Sequence, residues 1–336
     1  MASYLPATSD GVTKKAYEES ILREAVKSSF VYKFMSKKGD MPILVNEKFE
    51  KGKGDAVTIS MIKRLDGDPI TSTGTVEGNE QSIVPYTDTI TLEEYNYAVR
   101  FNNKLGLQRP AWMPNTVSKE MLMRQVSEHI DKQCITELQN TNTKYFYGGD
   151  ATSVATLETG DKVTPQLLSK IATWCVTGGN RTQPPIEPCV INNRKCFIFL
   201  TYPDALYDFL YDSTWNQYLR EASARSYQEN PLFKHVDFVF NAGPADVIFL
   251  TSEFINIYTN GGAGSDVPYV SSVFMGKQAL GWAWGQRGSL TEELFDYGRE
   301  KGINYNMIHG VTKLQFNSAD WGCVGVRHAR TNIAGA

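Results

Sequence analysis

The sequence predicts an α+β protein, on three observations. Two stretches carry apolar residues at helical spacing, one near the N-terminus and one over about 116–138. Between them, residues 55–101 alternate with period two, which is the pattern of half-buried strands. From Thr164 onward, helix and strand signals follow one another in irregular order, which argues against a doubly wound parallel sheet. With 336 residues, 41% of them apolar and 12% aromatic, the chain can bury a sizeable core.

The first helical signal covers residues 11–38. Leu22, Val26, Phe30 and Phe34 recur every fourth position, Asp10 or Thr13 stands where a cap is needed, and Gly39 ends the run. The next stretch, GDMPILVNEKFEKGKGD, has no period and reads as an extended arm. Residues 1–53 hold ten Lys/Arg against seven Asp/Glu, a mild +3 excess in a chain of net charge −3. That balance excludes a globally basic nucleic-acid binder.

Val57, Ile59 and Met61 begin a strand that breaks at Leu65-Asp-Gly-Asp-Pro. A polar excursion follows, punctuated by Pro69, Gly74, Gly78 and Pro85. The return strand has two phases: Ile90 and Leu92 on even numbers, then Tyr95, Tyr97, Val99 and Phe101 on odd numbers. A slip of one residue at Glu93–Glu94 predicts a β-bulge, so 55–101 reads as one long hairpin with an elaborated tip. A two-stranded ribbon is marginal alone in water and needs a surface to lie on.

The second helix has Leu122, Val126, Ile130, Cys134 and Leu138 as its ladder, with Val117 and Met121 beside it. Its ladder is expected to face strands around Val311, Leu314 and Phe316. Residues 139–163 read as a loop. Further on, TPQLLSKIATWCVTGG, YPDALYDFLYD and WNQYLREASAR read as helices, and KCFIFLT as a buried strand. VDFVFNAGPADVIFLT reads as two short strands about a Gly-Pro turn. VSSVFMGKQALGWAWGQ has the small-residue spacing of a helix, and SLTEE that of a helix start. INYNMIHGVTKLQF and WGCVGVRHART close the chain as strands.

Chemistry-bearing motifs are scarce. No GxxxxGK[ST] loop occurs, EKGKGDAV lacks the third glycine of a dinucleotide fingerprint, and GGAGSD fails the order of a nucleophile elbow. Five scattered cysteines without a CxxC pair fit a reducing compartment, and MASYLPATSDG does not read as a secretory leader. No apolar run is long enough to span a bilayer. His129 has no second ligand one helical turn away. His309, His328 and Cys323 stand on strands that can neighbour one another, though packing positions suit them better than a metal site. Trp282/Trp284 and Tyr95/Tyr97 lack a local basic stripe, so burial suits them better than base stacking. No catalytic residue, metal ligand or cofactor is expected.

A helical arm, a long hairpin, a long helix, a mixed central region and closing strands occur in that order. Gly52–Thr58, Leu65 through Gly78-Asn79-Glu80 to Thr91, Ala98–Phe101, VFMGKQALGWAWG and ELFDYGREKGINYNMIHGVTKLQFNSADWG carry a resemblance. The chain resembles the major capsid proteins of tailed bacteriophages with the Hong-Kong-phage (HK-type) shell fold, and is most similar to the N-four-like podovirus major capsid family. The resemblance implies an N-terminal helix and arm over 1–54, an extended loop over 55–101 and a spine helix at about 116–138. It implies a peripheral domain from 102–163 and 301–336, and an axial domain from 164–300. It further implies hexamers and pentamers of a DNA-filled icosahedral head, assembled in a host bacterial cytoplasm. Portal, scaffolding and decoration or cement proteins are then the partners, with non-specific contact to packaged double-stranded DNA and no membrane.

On that reading Lys63, Asp68, Glu77, Asn79, Glu80 and Tyr86 of the loop are the expected inter-subunit contacts. Lysines on hairpin arms are ordinary edge protection, so no covalent cross-link is expected. The rival readings are an enzyme with an unrecognised active site, and a fibre or adhesin that would grow open filaments.

Overall fold

Period two persists through most of the second half of the chain, and the architecture follows from it. The computed structural model describes residues 29, 31–47, 54–62, 65, 68–71, 74–102, 114–181, 185–191, 194–213 and 239–332. In chain order, the strands are β1 Met35–Ser36, β2 Ile43–Asn46, β3 Ala56–Ile62, β4 Pro85–Thr91, β5 Glu93–Phe101, β6 Tyr145–Tyr147, β7 Cys189–Ile191 and β8 Arg194–Thr201. They continue with β9 Val239–Asn241, β10 Asp246–Thr251, β11 Ile257–Gly261, β12 Val267–Met275, β13 Leu280–Phe295, β14 Glu300–Lys313, β15 Gln315–Phe316, β16 Ala319–Asp320 and β17 Cys323–Ala329. The described α-helices are α1 Pro114–Gln139, α2 Pro165–Arg181 and α3 Pro203–Leu210.

The two larger sheets both contribute to the core around α1. The first has five strands in the order β1-β2-β13-β14-β5. The second has eight, with β6-β17-β12-β8-β10-β9 as its path and β7 and β11 on the side. Helix α1 has 26 residues, about 39 Å at 1.5 Å per residue. Its ladder of Leu122, Val126, Ile130, Cys134 and Leu138 is at most 3% exposed. The ladder packs with Trp282, Ile303, Tyr305, Met307 and Val311 of the first sheet, and with Ile198, Leu200 and Val273 of the second. The odd residues of β8, Phe197 and Phe199, turn to the other face and pack with Leu168 and Phe209 of α2 and α3. Alternation along β8 therefore divides the two cores, one side chain at a time.

The predicted hairpin is two structures. Strands β3 and β4 pair with each other from Ala56↔Thr91 to Ile62↔Pro85. After Leu92 the chain changes partner, and β5 pairs antiparallel with β14 from Phe101↔Lys301 to Glu93↔His309. The phase slip at Glu93–Glu94 is thus a change of sheet, not a β-bulge. Two glycines allow the hairpin base to sit on the first sheet. A Cβ on Gly310 would lie 2.1 Å from the Thr91 carbonyl oxygen, and one on Gly281 would lie 2.7 Å from the Ile90 side chain.

Other expectations need correction. Residues 31–34 form a 3-10 turn and then join β1, so the expected helix does not run through 31–38; residues 11–28 lie outside the described residues. Ser36 accepts from the Lys38 main chain and donates to Asp40, a local turn that competes with helix. VSSVFMGKQALGWAWGQ is not a helix but the end of β12 and the start of β13. Nor do Glu292 and Glu293 start a helix: they lie in β13, where Glu292 meets Lys119 at 2.5 Å and Lys301 at 2.7 Å. The loop 139–163 contains β6 and a short 3-10 turn at Val154–Thr156. Met121 is 65% exposed and takes no part in the ladder. Of the three residues expected beneath the ladder, Val311 joins its core, while Leu314 lies under Gly281 and Phe316 lines a cleft described below. A boundary between 300 and 301 would cut the β13–β14 hairpin, and β17, expected with the peripheral elements, pairs with β12 in the eight-stranded sheet. The expected helix WNQYLREASAR lies outside the described residues.

Candidate inter-subunit surface

The hairpin is anchored at its base and bare at its far end. At the base, Val57 and Ile90 are fully buried against Ala283. Asp88 accepts from the Gln315 main-chain nitrogen at 2.8 Å, which ties β4 to the strand after β14. Beyond the base the apolar side chains lose their cover. Ile62 is 64% exposed, Leu65 52%, Val76 61%, Ile83 62% and Val84 48%. Such a row on one projecting element exceeds the scattered exposed apolar residues of an ordinary surface.

The tip is held by its own polar groups. Gly78 takes a positive φ of 88°, its nitrogen donates to the Glu80 carboxylate at 2.8 Å, and Asn79 Nδ2 donates to the Thr75 carbonyl at 2.9 Å. A turn closed by its own side chains keeps its shape without a neighbour. Asp68, Glu77, Asn79 and Glu80 are all exposed. Tyr86 is only half-exposed, because it lines a cleft of about 210 Å³ with Met61, Trp174, Phe316 and Trp321. Lys63 lies outside the described residues. Asp68, Glu77, Asn79 and Glu80 are therefore at the surface, but sequence reading missed the exposed apolar residues of the same loop. Their signal was Ile62, Leu65, Ile70, Val76, Ile83 and Val84 distributed through a stretch otherwise read as polar.

Nothing among the described residues assembles a catalytic or metal centre. His309 and His328, whose strands could have been neighbours, are separated: His309 is in β14 of the first sheet, and His328 in β17 of the second. The arrangement nearest to a nucleophile is Ser272, whose hydroxyl lies 2.8 Å from His328 Nε2 and 2.7 Å from Thr201 Oγ1. His328 Nδ1 lies 3.1 Å from the Ala329 carbonyl, so it carries the proton and Nε2 accepts. All three side chains are sealed at 0% exposure, and no substrate reaches the hydroxyl. Burial also lowers the His328 pKa to about 4, which keeps it a neutral packing residue. No group of three or more metal-ligating side chains occurs among the described residues. All five cysteines are free and buried. No described helix is long and apolar enough to cross a membrane.

Comparisons with known proteins place these features. A family profile described as "Phage capsid protein" matches residues 7–133 and 133–331. The chain is similar to the major capsid protein of Pseudomonas phage KPP25, 24% identical over 363 aligned positions, covering 93% of this chain and 94% of that one. Its fold is similar to the capsid of Ralstonia phage GP4, with a TM-score of 0.75 at 22% identity over 91% of this chain and 92% of the other. The capsid of cyanophage Pam1 matches with a TM-score of 0.78 at 19% identity over 91% and 93% of the two chains.

Proposed function

The chain belongs to the phage capsid protein family, a structural component of the virion shell and not an enzyme, and from that premise we propose how its copies build a tailed-phage head. It is a major capsid protein that associates with itself to form an icosahedral head. In our reading, the hairpin over 55–91 is the extended loop that lies across the next subunit. One observation carries this: the apolar row of Ile62, Val76 and Ile83, each more than 60% exposed on an element anchored at its base by the buried Val57 and Ile90. A subunit held by several neighbours gains avidity although each contact is modest. Head-to-tail contacts that close on rotation give rings, here hexamers and pentamers.

Helix α1 is then the spine helix. The five-stranded sheet beneath it is the main part of the peripheral domain, and the eight-stranded sheet with α2 and α3 is the main part of the axial domain. Asp68, Glu77, Asn79, Glu80 and Tyr86 are polar contacts of the loop, and Lys63 belongs with them by its place in the sequence. Portal, scaffolding and decoration proteins are the further partners, and packaged double-stranded DNA meets the +3 arm over 1–53 without sequence preference. Assembly takes place in the host bacterial cytoplasm. Placement with the N-four-like podovirus group rests on the Gly78-Asn79-Glu80 and Asp296-Tyr297-Gly298 segments. A comparison in which capsid proteins of another phage group align better across both segments would remove that placement.

Size-exclusion chromatography followed by negative-stain microscopy tests the reading. Closed shells or free rings are expected. A compact small oligomer with no larger species, or open filaments, would overturn it.

A further inference from the structure

Two histidines meet where the spine helix lies on the five-stranded sheet. His129 projects from α1 and His309 from β14, with ring centroids 6.2 Å apart. His309 is fully buried and stacked on the Trp282 indole, with centroids 4.5 Å apart and planes 9° from parallel. Tyr95 of β5 touches both rings, at 4.8 Å from His129 and 4.6 Å from His309.

A relay of hydrogen bonds fixes the protons. Tyr95 Oη lies 2.8 Å from a Glu93 carboxylate oxygen and donates to it. Gln133 Nε2 donates to Tyr95 Oη at 2.7 Å, which leaves Gln133 Oε1 as an acceptor. His309 Nε2 lies 2.8 Å from that oxygen and must carry the proton. His309 Nδ1 and His129 Nε2 are both buried atoms without a partner. Protonating His309 therefore puts a new N–H at Nδ1, where nothing accepts it, beside a second imidazole; on His129 only Gln133 favours the added charge, against burial and Lys132.

The surroundings oppose charge on the pair more than they favour it. Sheet strand β13 presents Trp282 and Trp284, and β5 presents Tyr95, Tyr97 and Glu93, whose carboxylate is engaged by Tyr95. On α1, Lys132 repels a charge on His129, while Glu137 is a further acid that acts on the nearby Tyr95. Asp131 is held by Ser29, and Glu128 by Arg124.

We propose that His129 and His309 form an acid-sensitive latch, closed while both rings are neutral, that lets the spine helix separate from the five-stranded sheet when they take up protons. Burial lowers the pKa of both rings, that of His309 to about 3 from 6.5. Opening that frees His309 to its ordinary pKa becomes about tenfold more favourable per pH unit below 6.5, and steeper where His129 takes up a proton as well.

Hydrogen exchange of the purified full-length protein, read against pH, tests this. Protection across 117–139 should fall below pH 6.5 before protection across β8 and β12 does. His309→Gln, which can still donate to Gln133, should flatten that pH profile, and His129→Gln should make it shallower without moving its onset. His328→Gln, in the other sheet, should leave the profile of 117–139 unchanged. If the wild-type helix and the eight-stranded sheet lose protection together, or if His129→Gln leaves the profile as it was, the latch is overturned. The wild-type measurement decides the matter even where His309→Gln does not fold.

Discussion

Lys313 and Asp320 meet at 3.0 Å with side chains only 5% and 1% exposed, at the C-terminal end of the spine helix. The same ammonium donates to the Thr141 carbonyl at 2.8 Å, to Asn142 Oδ1 at 3.1 Å and to the Asn140 carbonyl. A helix of 26 residues ends with carbonyls that have no intrahelical donor. Here a lysine from the sheet supplies donors to the segment that follows, and the charge suits the negative end of the helix dipole.

Lys313→Met should therefore destabilise the subunit by about 3 kcal/mol, the cost of breaking a buried ion pair from one side. Asp320 keeps the Thr143 nitrogen at 2.7 Å and Gln315 Nε2 at 2.8 Å, which limits the damage to the helix end. Chemical denaturation of the unassembled subunit measures it. A change below about 0.5 kcal/mol, the range of ordinary surface substitutions, would mean that the cap is not what holds this helix end.

Ile130→Asp places a carboxylate at a position 1% exposed in the middle of the ladder. The cost is several kcal/mol against a total of about 5–15 for a domain, so the variant should be insoluble or unfolded. Arg124→Ala is the contrast. Its ion pair with Glu128 is exposed to solvent on both sides and contributes little to stability. Circular dichroism and solubility separate the two; a soluble, cooperatively melting Ile130→Asp would mean that the ladder is not buried in the subunit. Lys119 also lies off the ladder but is not equivalent to Arg124, because its side chain is 15% exposed and bonded to Glu292 of β13.

Acid should weaken the fold from a pH set by two histidines. His309 and His328 have pKa values lowered by burial to about 3 and about 4, from 6.5. The native state then binds fewer protons than the unfolded chain below pH 6.5. Their contribution is complete above that pH and is lost as the pH falls towards the folded values. Each histidine should cost about 1.4 kcal/mol per pH unit within its window. Denaturation midpoints measured from pH 7 downward should decline, and His328→Gln should reduce the slope by one proton's worth. An unchanged slope in that variant would contradict the assignment of His328 as buried and neutral.

The spine helix and the base of the hairpin were legible because one period held over many residues. Leu122 to Leu138 keeps its four-residue ladder, and Val57 and Ile90 stand in plain alternation. The segment from Val270 to Gln286 was misread because Trp282 and Trp284 fit strand spacing while the small residues Gly276, Gly281 and Gly285 also suit a helix face. In the structure, Gly281 and Gly310 are strand residues that leave room for Ile90 and Thr91 of the hairpin, a tertiary reason that no local pattern contains. The slip at Glu93–Glu94 was legible as an event, but its cause is a change of sheet partner some two hundred residues away along the chain, from β3 to β14. The loop was legible in its exposed polar residues. Its apolar row was hidden because exposed residues such as Ile62 and Ile83 have no periodic neighbours to reveal them.

Replacing residues 68–84 by a short turn tests the central claim most directly. The buried seat of Val57, Ile90 and Ala283 is retained, so the subunit should stay soluble and fold cooperatively. Negative-stain microscopy of the purified variant beside the full-length protein should then show shells in the second sample and none in the first. Shells of normal size and yield from the variant would contradict assembly through the hairpin.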